Sequence, residues 1–226
     1  MWGSKNMPKS NTPALACFDL DGTIFRGQSQ RMLLEVLREH GYVSFPTHVS
    51  LVAWFVLYKL GILRKPERIM RIAYSAFRGY SVDEIAPIAD ETVDRLMHHT
   101  LAPVLERLQT HQHAGDDVII VTNTINLIAE RIAKRLGVSE YFCSVLAVQN
   151  GKYSGVLENT QYGSAKVHAL EAYREHAEKR ATLYVYADHD SDRQLLELAD
   201  HAVVVNPSPS LQASALSKGW EVLQTE

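Results

Sequence analysis

Phe18-Asp19-Leu20-Asp21-Gly22-Thr23 is the stretch on which the reading of this chain turns. It closes the apolar run Ala14 to Asp19, which has the length and composition of a buried strand and stops in an acidic turn. Two carboxylates two residues apart at such a point are costly unless something uses their charge. Gly22 permits a sharp backbone turn directly after them. Taken alone, D-x-D-G also fits a plain turn or a calcium-type loop, so its meaning depends on what the rest of the chain brings beside it.

Outward from this stretch, Ser29 to His40 carries Leu33, Leu34 and Leu37 at helical spacing and ends at Gly41, a suitable C-cap. From about Tyr42 to Thr100 the signals are helical only. Ser81-Val82-Asp83-Glu84 is a capping box. The stripe Ile85, Ala86, Ile88, Ala89, Thr92, Val93 and Leu96 behind it has helical period. The pattern then alternates. Val118 to Val121 reads as a strand and Ile125 to Leu136 as a helix closed by Gly137. Asn150-Gly151, inside Val145 to Tyr153, marks a two-residue hairpin. Ala165 to Glu178 reads as a helix, Thr182 to Tyr186 as a strand, Gln194 to Leu198 as a helix and Ala202 to Val205 as a strand. Strands alternating with helices predict an α/β fold: a doubly wound, mostly parallel, Rossmann-like sheet covered on both faces. The helical block between the first two strands is too long for one crossover. It is expected to be an inserted α-helical cap domain spanning 28–100, with the core formed by 13–27 and 101–226. Residues 1–12 read as a disordered lead-in.

In open α/β sheets ligands bind at the carboxyl ends of the strands. Besides the first, three further places carry candidate residues. Ile120-Val121-Thr122-Asn123-Thr124 leads into a helix, and a hydroxyl with backbone amides at a helix N-terminus makes a phosphate cradle. The plainer alternative is N-capping by Thr124 or Asn126. Lys166 stands at the start of the Ala165 to Glu178 helix, where a lysine by itself is an ordinary surface residue. The strand ending at Tyr186 continues Ala187-Asp188-His189-Asp190-Ser191-Asp192. Three acids in five residues repel one another without a cation, and oxygen-only ligands point to magnesium rather than zinc.

Together these four places resemble the haloacid dehalogenase superfamily, in its phosphoserine-phosphatase-like subfamily IB with a C1-type helical cap. DLDGT stands for the first motif, IIVTN for the second, Lys166 for the third and ADHDSD for the fourth, and the likeness runs from about Leu15 to Leu223. The resemblance implies a magnesium-dependent phosphatase acting on a small-molecule phosphomonoester. Asp19 would be the nucleophile that becomes an aspartyl phosphate. Asp21 would be the general acid and then the general base. Thr122, Asn123 and Lys166 would hold the phosphoryl group. Asp19, Asp188 and the Asp21 backbone carbonyl would bind Mg2+, with Asp192 in the ring of groups outside the metal's own ligands. Ala187 and His189 replace the glycine and serine usual beside the metal aspartate, and the role of Asp190 against Asp192 is left open. Arg26, Gln28 and Arg31 follow the first motif closely enough to reach substrate at the entrance. A dehalogenase branch lacks the second aspartate, so Asp21 argues against that chemistry. A phosphotransferase using the same intermediate, a lipid-phosphate phosphatase and a membrane-surface protein remain as alternatives, and a catalytically silent binding module is the rival from outside enzymology.

Composition bounds the partners. The chain has 226 residues, 46% of them apolar, and a formal net charge of −3, which gives no reason to expect nucleic acid as a partner. Cys17 and Cys143 are too few for a disulfide framework and suit a reducing, cytoplasmic setting. The pairs His98-His99 and His111-x-His113 lack acidic or cysteine companions at ligand spacing and are expected to be structural or on the surface. Leu51 to Tyr58, LVAWFVLY, is apolar all round but falls short of the roughly 20 residues a membrane span needs. It is expected to be a packed helix covered by the core, by a second subunit in a homodimer, or by lipid at a membrane surface.

Overall fold

The expected first strand forms as β1 (Leu15–Phe18), every residue of it buried. It lies at the centre of a seven-stranded sheet in the computed structural model, which describes residues 13–59, 72–176 and 182–225. The other strands are β2 (Asp117–Ile125), β3 (Glu140–Gln149), β4 (Lys152–Asn159), β5 (Leu183–Ala187), β6 (His201–Val205) and β7 (Glu221–Leu223). Their order across the sheet is β4-β3-β2-β1-β5-β6-β7. Every neighbouring pair is parallel except β3 with β4, which is the hairpin. Asn150 and Gly151 take φ of 52° and 74°, the left-handed values that this turn demands at both positions.

Both faces of the sheet are apolar, and side chains divide by strict alternation. Ala16, Phe18, Ile120, Tyr184, Tyr186, Val203 and Val205 face one cluster. Leu15, Cys17, Ile119, Val121, Leu183, Val185 and Val204 face another. Helices α1 (Ser29–Glu39), α2 (Phe45–Lys59), α3 (Val82–Met97), α4 (Ala102–Ala114) and α5 (Asn126–Leu136) precede β3. α1, α3, α4 and α5 supply the first cluster through Leu33, Ile85, Leu108 and Ile128. α6 (Ser164–His176), α7 (Arg193–Glu197) and α8 (Pro209–Lys218) cover the second face through Leu170, Leu195 and Leu211. This is the doubly wound architecture that the alternation of elements implies.

Two helices escape a reading of periodicity. In α4 the inward positions are Val104, Leu108 and His111, so the third place of the stripe is not apolar. His111 is nonetheless fully buried: Asp116 accepts or shares a hydrogen bond at its Nδ1 (2.7 Å) and the Tyr186 hydroxyl stands 2.9 Å from its Nε2. α8 turns only Leu211 and Ala215 fully inward, too little for a visible pattern.

The helical block meets the sheet directly. The backbone at 79–82 bonds to the hairpin: Gly79 N to Tyr153 O and Tyr153 N to Tyr80 O at 2.9 Å each, and Val82 N to Gly151 O at 3.0 Å. The Ser81 capping box forms as expected. On α2, Leu51 is buried and Trp54 half-buried, while Phe45, Val49 and Val56 are exposed, so the helix packs along one side. Among the described residues no helix is long and apolar enough to cross a membrane. The end of the helix expected to reach Glu178 and the lead-in 1–12 lie outside the described residues.

Candidate active site

Register decides what meets. Phe18 pairs with Ile120 on one side and with Tyr186 on the other, so the residues that follow this row on the three segments emerge at one edge of the sheet. Asp19, Thr122 and Asp188 are those residues. The strand order reverses at β1, which is where open α/β sheets place their ligands.

The turn after β1 is tight: the amides of Thr23, Ile24 and Phe25 all point to the Leu20 carbonyl. Gly22 has φ of +82°, and a Cβ there would stand 1.9 Å from Asp188 Oδ2. The glycine therefore serves two ends, the left-handed turn and the close approach of Asp188 over the backbone.

Lys166, at the start of α6, enters the same space. Its Nζ lies 3.0 Å from Asp19 Oδ1 and 3.0 Å from either oxygen of Asp192. All three side chains are deeply buried, with Asp19 5%, Lys166 3% and Asp192 2% exposed. Carboxylate oxygens of Asp19, Asp188 and Asp192 lie within 4.8 Å of one another. Burial pushes the Asp19 carboxyl up to about 6 despite the Lys166 charge. Burial, then the charges of Asp19 and Asp192, push Asp188 to about 8. Burial alone would lower the Lys166 pKa, but the two aspartates outweigh it and raise it. Three carboxylates against one ammonium leave negative charge uncompensated, and Asp188 Oδ1 is buried with no hydrogen-bond partner among the described residues. A hard divalent cation ligated by oxygen fits that donor set.

Asp21 points elsewhere. Its Oδ1 accepts from the Ser29 amide at 2.6 Å, and its Oδ2 accepts from Ser29 Oγ at 2.7 Å and Thr124 Oγ1 at 3.2 Å. Burial raises its pKa, and the Ser29 hydrogen bonds oppose the rise. Two carboxyl groups two residues apart thus stand in different surroundings, one beside an ammonium and one among hydroxyls. Such separation suits one to a nucleophile's task and the other to proton transfer.

The remaining candidates divide. Thr122 is buried, and its Oγ1 accepts the Thr124 amide at 3.2 Å. The Asn123 side-chain oxygen accepts from Ser144 Oγ at 3.0 Å, and its backbone carbonyl accepts from Gln30 Nε2 at 3.3 Å. Gln28 stands at the N-cap of α1 without a side-chain cap bond. Arg31 lies along the outside of α1, paired with Glu35 at 3.1 Å, and Arg26 is exposed. Neither arginine pairs with the acidic cluster. Asp190 is drawn away by Arg193 and Ser208, while Asp192 faces Lys166, which separates the roles of these two acids. His189 is exposed and caps the short turn after it, its Nδ1 accepting the Ser191 amide at 3.1 Å.

Sequence reasoning missed Ser29 and offered Thr124 only as an alternative helix cap. A serine opening a helix and a threonine before one both look like caps. The N-cap of α5 is Ile125, without a side-chain cap bond, and Thr124 turns to Asp21 instead. Only tertiary proximity distinguishes the two uses.

A family model described as haloacid dehalogenase-like hydrolase matches residues 16–197. A phosphoserine phosphatase from Mycobacterium tuberculosis is 28% identical over 230 residues, covering 97% of this chain and 73% of that protein. A histidinol-phosphatase from Neisseria meningitidis serogroup C is 27% identical over 219 residues, covering 92% of this chain and 97% of its own length. The solved structure of a protein of unknown function from Bordetella pertussis Tohama I superposes with a TM-score of 0.82 at 24% identity, covering 94% of this chain and 99% of that one.

Proposed function

We propose, for a chain that belongs to the haloacid dehalogenase-like hydrolase family, that it hydrolyses a phosphate monoester through a phosphorylated Asp19. The observation that carries this reading is the buried Asp19–Lys166–Asp192 group with Asp188 beside it, whose Oδ1 has no hydrogen-bond partner among the described residues, at the edge where Asp21 sits apart among hydroxyls. In the first step a carboxylate oxygen of Asp19 attacks phosphorus. The bond to the ester oxygen breaks, and Asp21 gives that oxygen its proton. In the second step Asp21, now ionised, takes a proton from a water molecule as the water attacks phosphorus. Inorganic phosphate leaves and Asp19 is restored. Lys166 offsets the charge of the transferring group, and Thr122 with the backbone amides of its loop receives the phosphoryl oxygens. Asp192 braces Lys166.

Mg2+ would be held by Asp19, Asp188 and the Asp21 carbonyl, and when bound it would draw off phosphoryl charge as a Lewis acid. The helices of 28–100 form the cap in this reading. The relatives named for histidinol phosphate and phosphoserine share the family but differ in leaving group, so the substrate is proposed here only as a small phosphomonoester. A screen of phosphomonoesters with purified protein and Mg2+ tests the function. Release of phosphate from at least one is expected. A null result across sugar, polyol, amino-acid and aryl phosphates would overturn it.

The raised carboxyls give a second expectation, read without any substrate. Asp19 and Asp188 hold protons to about 6 and about 8 when folded, against 3.8 unperturbed. Between about pH 4 and 8 the folded chain therefore binds more protons at these groups than the unfolded one, and their contribution to stability falls as pH rises. Mg2+ competes with those protons. It is expected to raise Tm by roughly 5 °C or more at pH 8 when present about 100-fold above its Kd, and by less at pH 5. Melting curves with Mg2+ and with NaCl of equal ionic strength decide it. Equal shifts from the two salts at pH 8 would count against a cation at this cluster.

A further inference from the structure

Asp21 is held from two sides by elements distant in sequence, Ser29 on α1 and Thr124 on β2. A third side chain staples these elements together. Gln30, next to Ser29, donates from Nε2 to the carbonyl of Asn123, next to Thr124, at 3.3 Å. A carbonyl only accepts, so the Gln30 amide must present its nitrogen there. Tyr74 is buried beside them: burial pushes its hydroxyl above the ordinary phenol range, the charge of Asp21 adds to the rise and the Gln30 side chain opposes it.

The core in turn fixes Tyr74. Gly155 of β4 has φ of +77°, and a Cβ on it would stand 3.1 Å from Ser75 Cα and 3.2 Å from the Tyr74 carbonyl oxygen. Arg78 Nε donates to the Ser154 carbonyl at 3.1 Å. The hairpin thus carries the backbone of 74–78 and sets Tyr74 against Gln30. We propose that Gln30 and Tyr74 are positioning residues that lock α1 to the Thr122–Thr124 end of β2 and so aim Asp21 at the ester oxygen. They touch neither phosphorus nor leaving group and act through Ser29 and Thr124. The inference rests on Asp21 being the proton donor.

Leaving-group chemistry separates aim from general structural support. An alkoxide must be protonated as it departs, whereas nitrophenolate leaves without a proton. Misaiming Asp21 therefore penalises alkyl esters selectively. Gln30→Met keeps the side chain's length and removes the donor. Its kcat/KM on an alkyl phosphate, which counts only the steps up to departure of the alcohol and leaves out the water attack common to both esters, is expected to fall about tenfold more than its kcat/KM on p-nitrophenyl phosphate, since one supporting hydrogen bond is worth about a factor of ten. Tyr74→Phe should show the same selectivity at smaller size, and it keeps the test open if Gln30→Met folds poorly. Equal losses on the two esters, or none, in a protein that is active before substitution would overturn the positioning role alone. A protein that hydrolyses neither ester before substitution would overturn the phosphatase reading and this inference with it.

Discussion

Asp19→Asn is expected to abolish turnover while the protein folds as before. The amide has the shape of the carboxylate but is a far poorer nucleophile, so no acyl phosphate forms. The loss in kcat should be about four to six orders of magnitude, the scale seen when a nucleophile is removed from a preorganised site. Folding should survive because Lys166 keeps its second partner, Asp192, at 3.0 Å. The substitution also removes one of the like charges that push Asp188 upward, so in metal-free buffer Tm should not fall below that of the unsubstituted protein. Initial rates on the best ester from the screen, with circular dichroism melts of the same samples, measure both halves. More than about a thousandth of the original kcat, with folding intact, would remove Asp19 from the nucleophile's role.

Asp188→Ala should silence the enzyme in a different way. Its carboxylate leans over Gly22, close enough that a Cβ there would collide with it, and its Oδ1 has no hydrogen-bond partner among the described residues. If that oxygen belongs to a cation, the alanine variant loses activity by at least about a thousandfold and also loses the Mg2+-dependent rise in Tm. EDTA should reproduce the loss in the unsubstituted protein, and added Mg2+ should reverse it. The variant is not expected to unfold, since it replaces a half-buried, uncompensated carboxylate by a methyl group. Full activity in EDTA would discard the metal. Retained Mg2+ stabilisation in Asp188→Ala would move the metal away from this carboxylate.

Much of this was visible in the linear chain. The apolar run into Asp19, the alternation after Thr100 and the capping box at Ser81 are local signals, each fixed by backbone geometry or by strand and helix period. They sufficed for the sheet, the helical block between its first strands, and Asp19, Thr122, Lys166 and Asp188 as residues worth watching. What the linear chain left open is local too. His111 interrupts the stripe of α4 and yet is core, because Asp116 and Tyr186 satisfy its ring nitrogens. Arg31 sits five residues from Arg26 in sequence but turns along the outer face of α1 to Glu35.

What the chain determined by itself is the order of its elements and the chemistry placed at their ends, because period and turn residues act within a few positions of one another. The tertiary structure alone decided which partners each acid meets. Asp190 and Asp192 are two residues apart, and only the resemblance to a family motif favoured the second of them in the linear chain. One turns to Arg193 and Ser208, the other to Lys166, whose Nζ comes from a helix 26 positions earlier. The same holds for Ser29 and Thr124, 95 positions apart and 2.9 Å from each other. A buried polar group takes its role from whichever partner desolvation forces upon it, and that partner is set by the register of β1 between β2 and β5.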